Sequence, residues 1–103
     1  MMLVTVEHKP ARFKAGESIA VTEKFPIGHY RTPMYVRGKH GTIIRNLGRY
    51  INPEREAFGK NAGDKIWYYM VSFLQKDLWE NYKGRDTDVL EIEIFENWLE
   101  PIN

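Results

Sequence analysis

The sequence predicts an all-β domain: a small, SH3-like, partly open barrel with long loops and one short helical turn. Its 103 residues allow a single hydrophobic core. Apolar residues alternate with a period of two in several segments, and the period of 3.6 that marks helices is nearly absent. Aromatic residues make up 14% of the chain, and glycine and proline separate the alternating segments. We expect an N-terminal arm at residues 1–11 and a barrel domain at residues 12–103, with a five-stranded OB-type barrel as the alternative.

The first third of the chain predicts one strand and one long loop. Residues Glu17 to Glu23 follow an Ala15-Gly16 turn and place Ile19 and Val21 on one face, as in a half-buried strand. The loop from Phe25 to Gly41 contains two prolines and three glycines and is too long for a hairpin turn. Loops of such length in compact domains are usually functional or docked on another element.

The middle of the chain predicts two further strands around a second excursion. A short strand is expected over Thr42 to Arg45, then a long excursion over Asn46 to Asp64 with a helical turn at Pro53 to Phe58. From Ile66 to Phe73 both alternating sets of residues are largely apolar. This pattern predicts a central strand that is covered on both faces.

The last third predicts a helical turn, a strand and a packed tail. A one-turn helix is expected within Gln75 to Tyr82. Apolar residues alternate with glutamates from Leu90 to Ile94, the pattern of a half-buried strand. The tail from Phe95 to Pro101 is expected to fold back against the core. The residues expected to be buried by the helix and the tail are Leu78, Trp79, Trp98 and Leu99.

The composition excludes several kinds of chemistry. The chain has no cysteine, which excludes disulfides, thiolate catalysis and any cysteine-ligated metal site on this chain alone. Its three histidines stand far apart in the sequence, so no metal site is predicted within the chain. Neither a phosphate-binding glycine loop nor a nucleophile elbow is present, so we expect no activity from this chain alone. No apolar run is long enough to span a membrane and no signal pattern begins the chain, so we expect a cytoplasmic protein without membrane contact.

Charge is segregated along the sequence although the net charge is only +1. Residues 24–53 contain six basic side chains and no acid, whereas residues 77–100 contain eight acids and two bases. This asymmetry favours a basic surface for an anion or an acidic partner, unless folding places the two segments side by side.

Two arginines lie in a part of the basic segment where the chain has few accessible conformations. Pro33 restricts its own φ and the residue before it, and Gly38 permits a turn, so Arg31 and Arg37 lie on a stiff loop. A stiff loop can aim a guanidinium at a fixed anion, to which its planar fork donates two parallel hydrogen bonds.

Seven sequence blocks carry a resemblance to a known family: residues 13–21, 28–38, 41–43, 56–59, 69–73, 77–79 and 95–101. They resemble, in order and spacing, the C-terminal barrel half of the beta subunit of nitrile hydratases. The same blocks are similar to the small subunit of thiocyanate hydrolase and to three-subunit nitrile hydratases such as the toyocamycin type. The resemblance covers residues 12–101, and residues 75–79 with 90–94 look closer to the thiocyanate hydrolase subunit.

The resemblance implies a role at a metal centre that another chain holds. In this family a cysteine-rich alpha subunit binds Co(III) or Fe(III), and two of its cysteine ligands are oxidised. Arg31 matches the arginine that hydrogen-bonds these oxidised cysteines from the barrel half. Arg37 is expected to support the loop or contact another subunit, and His29, Tyr30 and Tyr35 to line or support the interface.

The implied function is that of a small beta-type subunit of a hetero-oligomeric nitrile hydratase, a lyase that adds water to a nitrile. Full-length beta subunits also carry a helical N-terminal half, which we expect a further subunit to supply. Thiocyanate hydrolase is the alternative reaction, so the small substrate is a nitrile or thiocyanate.

Two hypotheses of another kind remain open. One is a free-standing barrel that binds nucleic acid through residues 24–49, with Tyr30, Tyr35 and Tyr50 stacking on bases. The modest isoelectric point of 8.0 makes nucleic acid the weaker hypothesis. The other is a maturation chaperone for the same enzyme.

Overall fold

The computed structural model describes residues 10–23, 34–51 and 65–102, without the side chains of Met34 and Ile51. Its five strands form one antiparallel sheet in the order β4-β3-β2-β1-β5. The strands are β1 (Ser18–Val21), β2 (His40–Ile51), β3 (Lys65–Leu74), β4 (Val89–Phe95) and β5 (Leu99–Pro101). The helical turn predicted at residues 53–58 and most of the predicted N-terminal arm lie outside the described residues.

The predicted all-β class is confirmed, and the sheet is not closed into a barrel. In the described part of the chain, β4 and β5 form the two edges of the sheet and do not pair with each other. Helical structure there is limited to α1 (Gln75–Leu78) and to 3₁₀ turns at Met34–Val36 and Glu96–Trp98. None of these described helices has the length and apolar character needed to cross a membrane.

One face of the curved sheet encloses the core. The alternating residues Tyr69, Val71 and Phe73 of β3 are fully or almost fully buried, and cross-strand neighbours on β2 and β4 extend this face. Gly41 of β2 also faces the core, where a Cβ would lie 2.8 Å from Phe73 Cε1 and 2.8 Å from the Ser72 carbonyl oxygen. The core cluster comprises Phe13, Ile19, Val21, Val36, Ile43, Tyr69, Val71, Phe73, Leu78, Ile94, Trp98 and Leu99.

The prediction for β2 is wrong in length. The sequence pattern predicted a strand over residues 42–45 and a loop from Asn46, whereas β2 continues to Ile51. The register between β2 and β3 shifts twice, and the second shift lies between Asn46 and Gly48. Gly48 has φ +104° and donates its N–H to Asn46 Oδ1 at 2.7 Å. This glycine therefore forms a bulge that keeps the strand pairing and increases its twist, rather than ending the strand.

Three smaller predictions are corrected. The first strand is confined to Ser18–Val21. β3 is central in the sheet as predicted, but its second face is half-buried rather than fully covered. The helical turn ends at Leu78, which is buried, but the predicted burial of Trp79 is wrong since 39% of its surface is exposed.

The alternating strand and the tail are confirmed. In β4, Ile94 is buried while Glu91 and Glu93 are exposed. The chain then turns through Glu96–Trp98 into β5, which buries Trp98 completely and Leu99 almost completely.

A buried tyrosine fastens the start of the described chain to this tail. The Tyr69 hydroxyl donates to Glu96 Oε2 at 2.5 Å, and the same carboxylate oxygen accepts the Arg12 N–H at 3.0 Å. Burial, and then the hydrogen bond to Glu96, raise the pKa of Tyr69 well above its ordinary value. The Phe13 ring packs edge-on against Tyr69, with the ring centroids 5.8 Å apart. Residues 12–13 are therefore held by both polar and apolar contacts.

Candidate functional site

The arginine-bearing loop is held rigidly at its end, residues 36–39, where the chain enters β2. This end is here called the loop root. Val36 is completely buried, and its carbonyl accepts the N–H of Lys39 at 3.0 Å. The Gly38 N–H donates to the Val21 carbonyl at 2.8 Å, and the Val21 N–H donates to the Lys39 carbonyl at 2.9 Å. Gly38 has φ +78°, a conformation that favours glycine. The sequence thus fixes this end of the loop on β1 by one buried side chain and one glycine turn.

Arg37 lies against the core rather than projecting freely into solvent. Its guanidinium carbon lies 4.7 Å from the centroid of the Trp98 ring, and the side chain is half-buried. Trp98 is itself completely buried, and its carbonyl accepts the Thr22 N–H at 2.9 Å. A guanidinium over an indole face is held by cation–π attraction, so Arg37 has a defined position beside the loop root.

Tyr35 and Trp79, here called the aromatic pair, meet on the surface next to this root. Their ring centroids are 5.2 Å apart, and 41% of Tyr35 and 39% of Trp79 are exposed. The Trp79 indole N–H donates to Gln75 Oε1 at 2.9 Å, which orients the ring against α1. The pair therefore offers an apolar aromatic surface. The indole N–H of Trp79 already has a hydrogen-bond acceptor within the chain.

Sequence reasoning expected Trp79 in the core and therefore missed it as a surface residue. The helix ends at buried Leu78, and Trp79 has an extended backbone outside it, so Trp79 does not continue the buried face of the helix. The polar run Glu80-Asn81 that follows Trp79 is a second signal that the chain leaves the core there.

The structure describes two of the five predicted site residues, Tyr35 and Arg37, and not the other three. Tyr35 and Arg37 stand on either side of buried Val36, each against a different tryptophan. His29, Tyr30 and Arg31 lie in residues 24–33, outside the described residues. Their predicted roles stay predictions.

The described residues offer no donor set for a metal ion. No three His, Asp or Glu side chains cluster within residues 10–23, 34–51 and 65–102. The whole chain lacks cysteine, so the cysteine ligands that the family resemblance implies must come from elsewhere.

A second aromatic group lies far from the loop root. Tyr50 is 49% exposed, and its ring centroid lies 5.4 Å from that of Tyr68. Tyr68 in turn lies 4.2 Å from Phe95 and donates its hydroxyl to Glu93 Oε1 at 3.1 Å. Tyr50 follows His40, the first residue of β2, by ten residues, which corresponds to about 30 Å along an extended strand. The two exposed aromatic groups are therefore separate surfaces.

Comparison with known proteins identifies the family. The family described as nitrile hydratase beta subunit, C-terminal, matches residues 4–101, nearly the whole chain. The chain belongs to this family. The resemblance inferred from the seven sequence blocks is thereby confirmed.

Proteins similar to this chain include subunits of two enzymes. The chain is 39% identical over 91 residues to thiocyanate hydrolase subunit alpha of Thiobacillus thioparus, an alignment that covers 87% of this chain and 71% of that subunit. It is 30% identical over 89 residues to nitrile hydratase subunit beta of Pseudomonas putida, covering 86% of this chain and 41% of that subunit. It is also 36% identical over 72 residues to the cobalt-containing nitrile hydratase subunit beta of Pseudonocardia thermophila, covering 69% of this chain and 30% of that subunit.

A solved structure gives the same result for the fold. A chain of the recombinant apo-enzyme of Thiobacillus thioparus thiocyanate hydrolase matches with a TM-score of 0.83 at 36% identity. The match covers 90% of this chain and 78% of that chain. In contrast, the chain spans about two fifths or less of the length of the two nitrile hydratase beta subunits.

Proposed function

We propose that this chain is a small beta-type subunit of a nitrile hydratase-type hetero-oligomeric enzyme, inactive by itself. The observation that carries the proposal is the extent of the match, since both the family and the solved thiocyanate hydrolase chain cover nine tenths or more of these residues. The relatives are named as subunits, which supports a partner chain. The absence of cysteine means that this partner, rather than our chain, supplies thiolate ligands.

In this proposal Arg31 supplies the positive charge that the partner needs. Oxidised cysteines carry negative charge, and burying such charge at an interface without a partner is costly. The guanidinium of Arg31 donates two parallel hydrogen bonds to their oxygens. The rigid loop root supports this role, because Gly38 and Val36 fix the chain only a few residues after Arg31.

The metal is assigned to the partner subunit. One relative is named as cobalt-containing, which supports cobalt in the assembled enzyme. The cysteine-free sequence does not fit a thiolate-ligated ion, so this chain contributes hydrogen bonds and part of the substrate channel instead. His29, Tyr30, Tyr35 and Arg37 would line or support that interface.

Two substrates are compatible with the proposal. Nitriles and thiocyanate share a carbon–nitrogen triple bond, so one electrophilic carbon is open to attack by water in both. Nitrile hydration is the first candidate, because the family takes its name from that enzyme. Thiocyanate hydrolysis is the second, favoured by the 71% coverage of the thiocyanate hydrolase subunit against 41% for a nitrile hydratase beta subunit.

The test is substitution of Arg31 in the assembled enzyme. The chain would be co-expressed with its cysteine-rich partner and the other subunits of the complex, and activity measured on both a nitrile and thiocyanate. We expect Arg31→Lys to lower kcat at least about 100-fold, because one ammonium cannot reproduce the two hydrogen bonds of the fork. Arg45→Lys, an exposed arginine on β2, is the matched control and should leave activity unchanged.

Two results would contradict this assignment. Full activity in the Arg31→Lys complex would remove the role of the arginine. Activity of the partner subunits on both substrates without this chain would remove the chain from the enzyme altogether and favour a maturation role.

The nucleic acid hypothesis has less support. Its proposed stacking residues Tyr35 and Tyr50 belong to separate aromatic groups at opposite ends of β2, so they do not form one continuous track for bases. Binding that weakens steeply with salt in a gel-shift experiment would revive this hypothesis.

A further inference from the structure

The aromatic pair, Tyr35 and Trp79, exposes an apolar surface that the hydrogen bonds proposed for Arg31 do not use. Both rings are about two fifths exposed although they contact each other. Clustered aromatic side chains on a surface mark interaction sites, because they bury much area at low cost in conformational entropy.

Each ring of the pair is held in place before any partner arrives. Trp79 is fixed by the hydrogen bond from its indole N–H to Gln75 Oε1. Tyr35 precedes Val36, which is completely buried, within the 3₁₀ turn Met34–Val36. A preformed surface loses little freedom on binding, so more of the contact energy appears as affinity.

The short separation of Arg31 and Tyr35 in the sequence links this pair to the interface that the proposed function requires. The inference therefore rests on the proposed function. Arg31 precedes Tyr35 by four residues, so their Cα atoms are at most about 14 Å apart in any conformation. A standard interface buries about 800 Å² on each partner, a patch of roughly 16 Å radius. A subunit that receives Arg31 near the centre of its interface therefore reaches Tyr35 and the ring packed on it.

We propose that the aromatic pair is an anchor of the interface with the metal-binding partner subunit. Its rings occupy an apolar pocket of that subunit, while the exposed charged residues Lys76, Asp77 and Glu80 around α1 form the polar rim. An aromatic centre with a polar rim is the arrangement in which a few residues carry most of the binding energy.

The experiment measures binding of the purified chain to the purified cysteine-rich subunit by isothermal titration calorimetry. Tyr35→Ala and Trp79→Ala should each raise Kd about 30-fold, and Trp79→Phe should stay within about 3-fold of wild type. Tyr50→Ala is the matched control, because it removes an equally exposed ring from the other aromatic group. Circular dichroism checks that every variant is folded, and Tyr35→Ala carries the test should Trp79→Ala fail to fold.

The outcomes separate this inference from the proposed function. If the wild-type chain binds its partner and both alanine variants bind as well as Tyr50→Ala, the anchor is overturned while the proposed function stands. If the wild-type chain does not bind at all, the proposed function fails with it. If the variants lose only self-association in analytical ultracentrifugation, with Kd for the partner unchanged, a second copy of this chain is the occupant and the anchor is again overturned.

Discussion

At the scale of single residues, the Tyr69–Glu96 contact shows how a polar group stabilises a core this small. The tyrosine is completely buried in the middle of β3, yet its hydroxyl reaches a carboxylate that also accepts the Arg12 N–H. A hydrogen bond to a charged group contributes about 1.5–3 kcal/mol, and an unmet buried partner costs a similar amount.

The contact predicts a pH-dependent stability. Because the pKa of Tyr69 is raised in the folded state, the unfolded chain loses its tyrosine proton first as pH rises past about 10. The folded state then binds more protons than the unfolded state, so stability falls with rising pH by up to about 1.4 kcal/mol per unit. The stability that Tyr69 contributes is therefore present below pH 10 and lost above it.

Tyr69→Phe tests this prediction. The variant should be about 1–2 kcal/mol less stable than wild type at pH 8 in urea denaturation. That difference should shrink at pH 11, because phenylalanine has no proton to lose. Tyr50→Phe serves as the control, because the Tyr50 side chain is half-exposed. Its free energy of unfolding should match that of wild type at pH 8. If the stability difference between wild type and Tyr69→Phe is as large or larger at pH 11, loss of the Tyr69 proton is not the cause of the pH dependence.

At the scale of elements, β2 shows where sequence reasoning succeeds and where it stops. Alternating patterns predicted β1, β3 and β4, because a strand with one buried face has apolar residues at every second position. The tail was predicted only to fold back as a short turn, so the strand β5 was missed. A glycine such as Gly48 is compatible with either a turn or a bulge, and only pairing with β3 decides between them. The length of β2 therefore depends on contacts between residues distant in sequence.

The same limit applies to the candidate site. Arg37 was predicted from its loop, whose prolines and glycines are local signals, and Tyr35 was predicted from the family resemblance. Their partners Trp79 and Trp98 lie more than forty residues away in the sequence, and contact between distant segments follows from the sheet order rather than from spacing. The sequence thus indicated Tyr35 and Arg37 but not their contacts with Trp79 and Trp98.

The bulge at Gly48 gives a prediction for β2. At φ +104° a side chain is strained, so Gly48→Ala should lower the free energy of unfolding by about 1–2 kcal/mol. Arg45→Ala changes an exposed residue of the same strand and should stay within about 0.5 kcal/mol of wild type. Urea denaturation of the two variants checks this, and equal stability would show that β2 does not need the left-handed conformation.

At the scale of the whole molecule, the described residues form an open sheet with exposed aromatic side chains. A single open sheet covers a core on one face, the second face of β3 is half-buried, and an aromatic pair is exposed beside the loop root. A chain of 103 residues buries a smaller share of its surface than larger domains do. Contact with a partner subunit would therefore add both stability and function.

The structure of the assembled holoenzyme tests the central claim most directly. The account predicts that the Arg31 guanidinium lies at hydrogen-bond distance, about 2.7–2.9 Å, from oxygens of oxidised cysteines on the partner subunit. Arg31 exposed to solvent, away from every sulfur ligand of the metal, would contradict it.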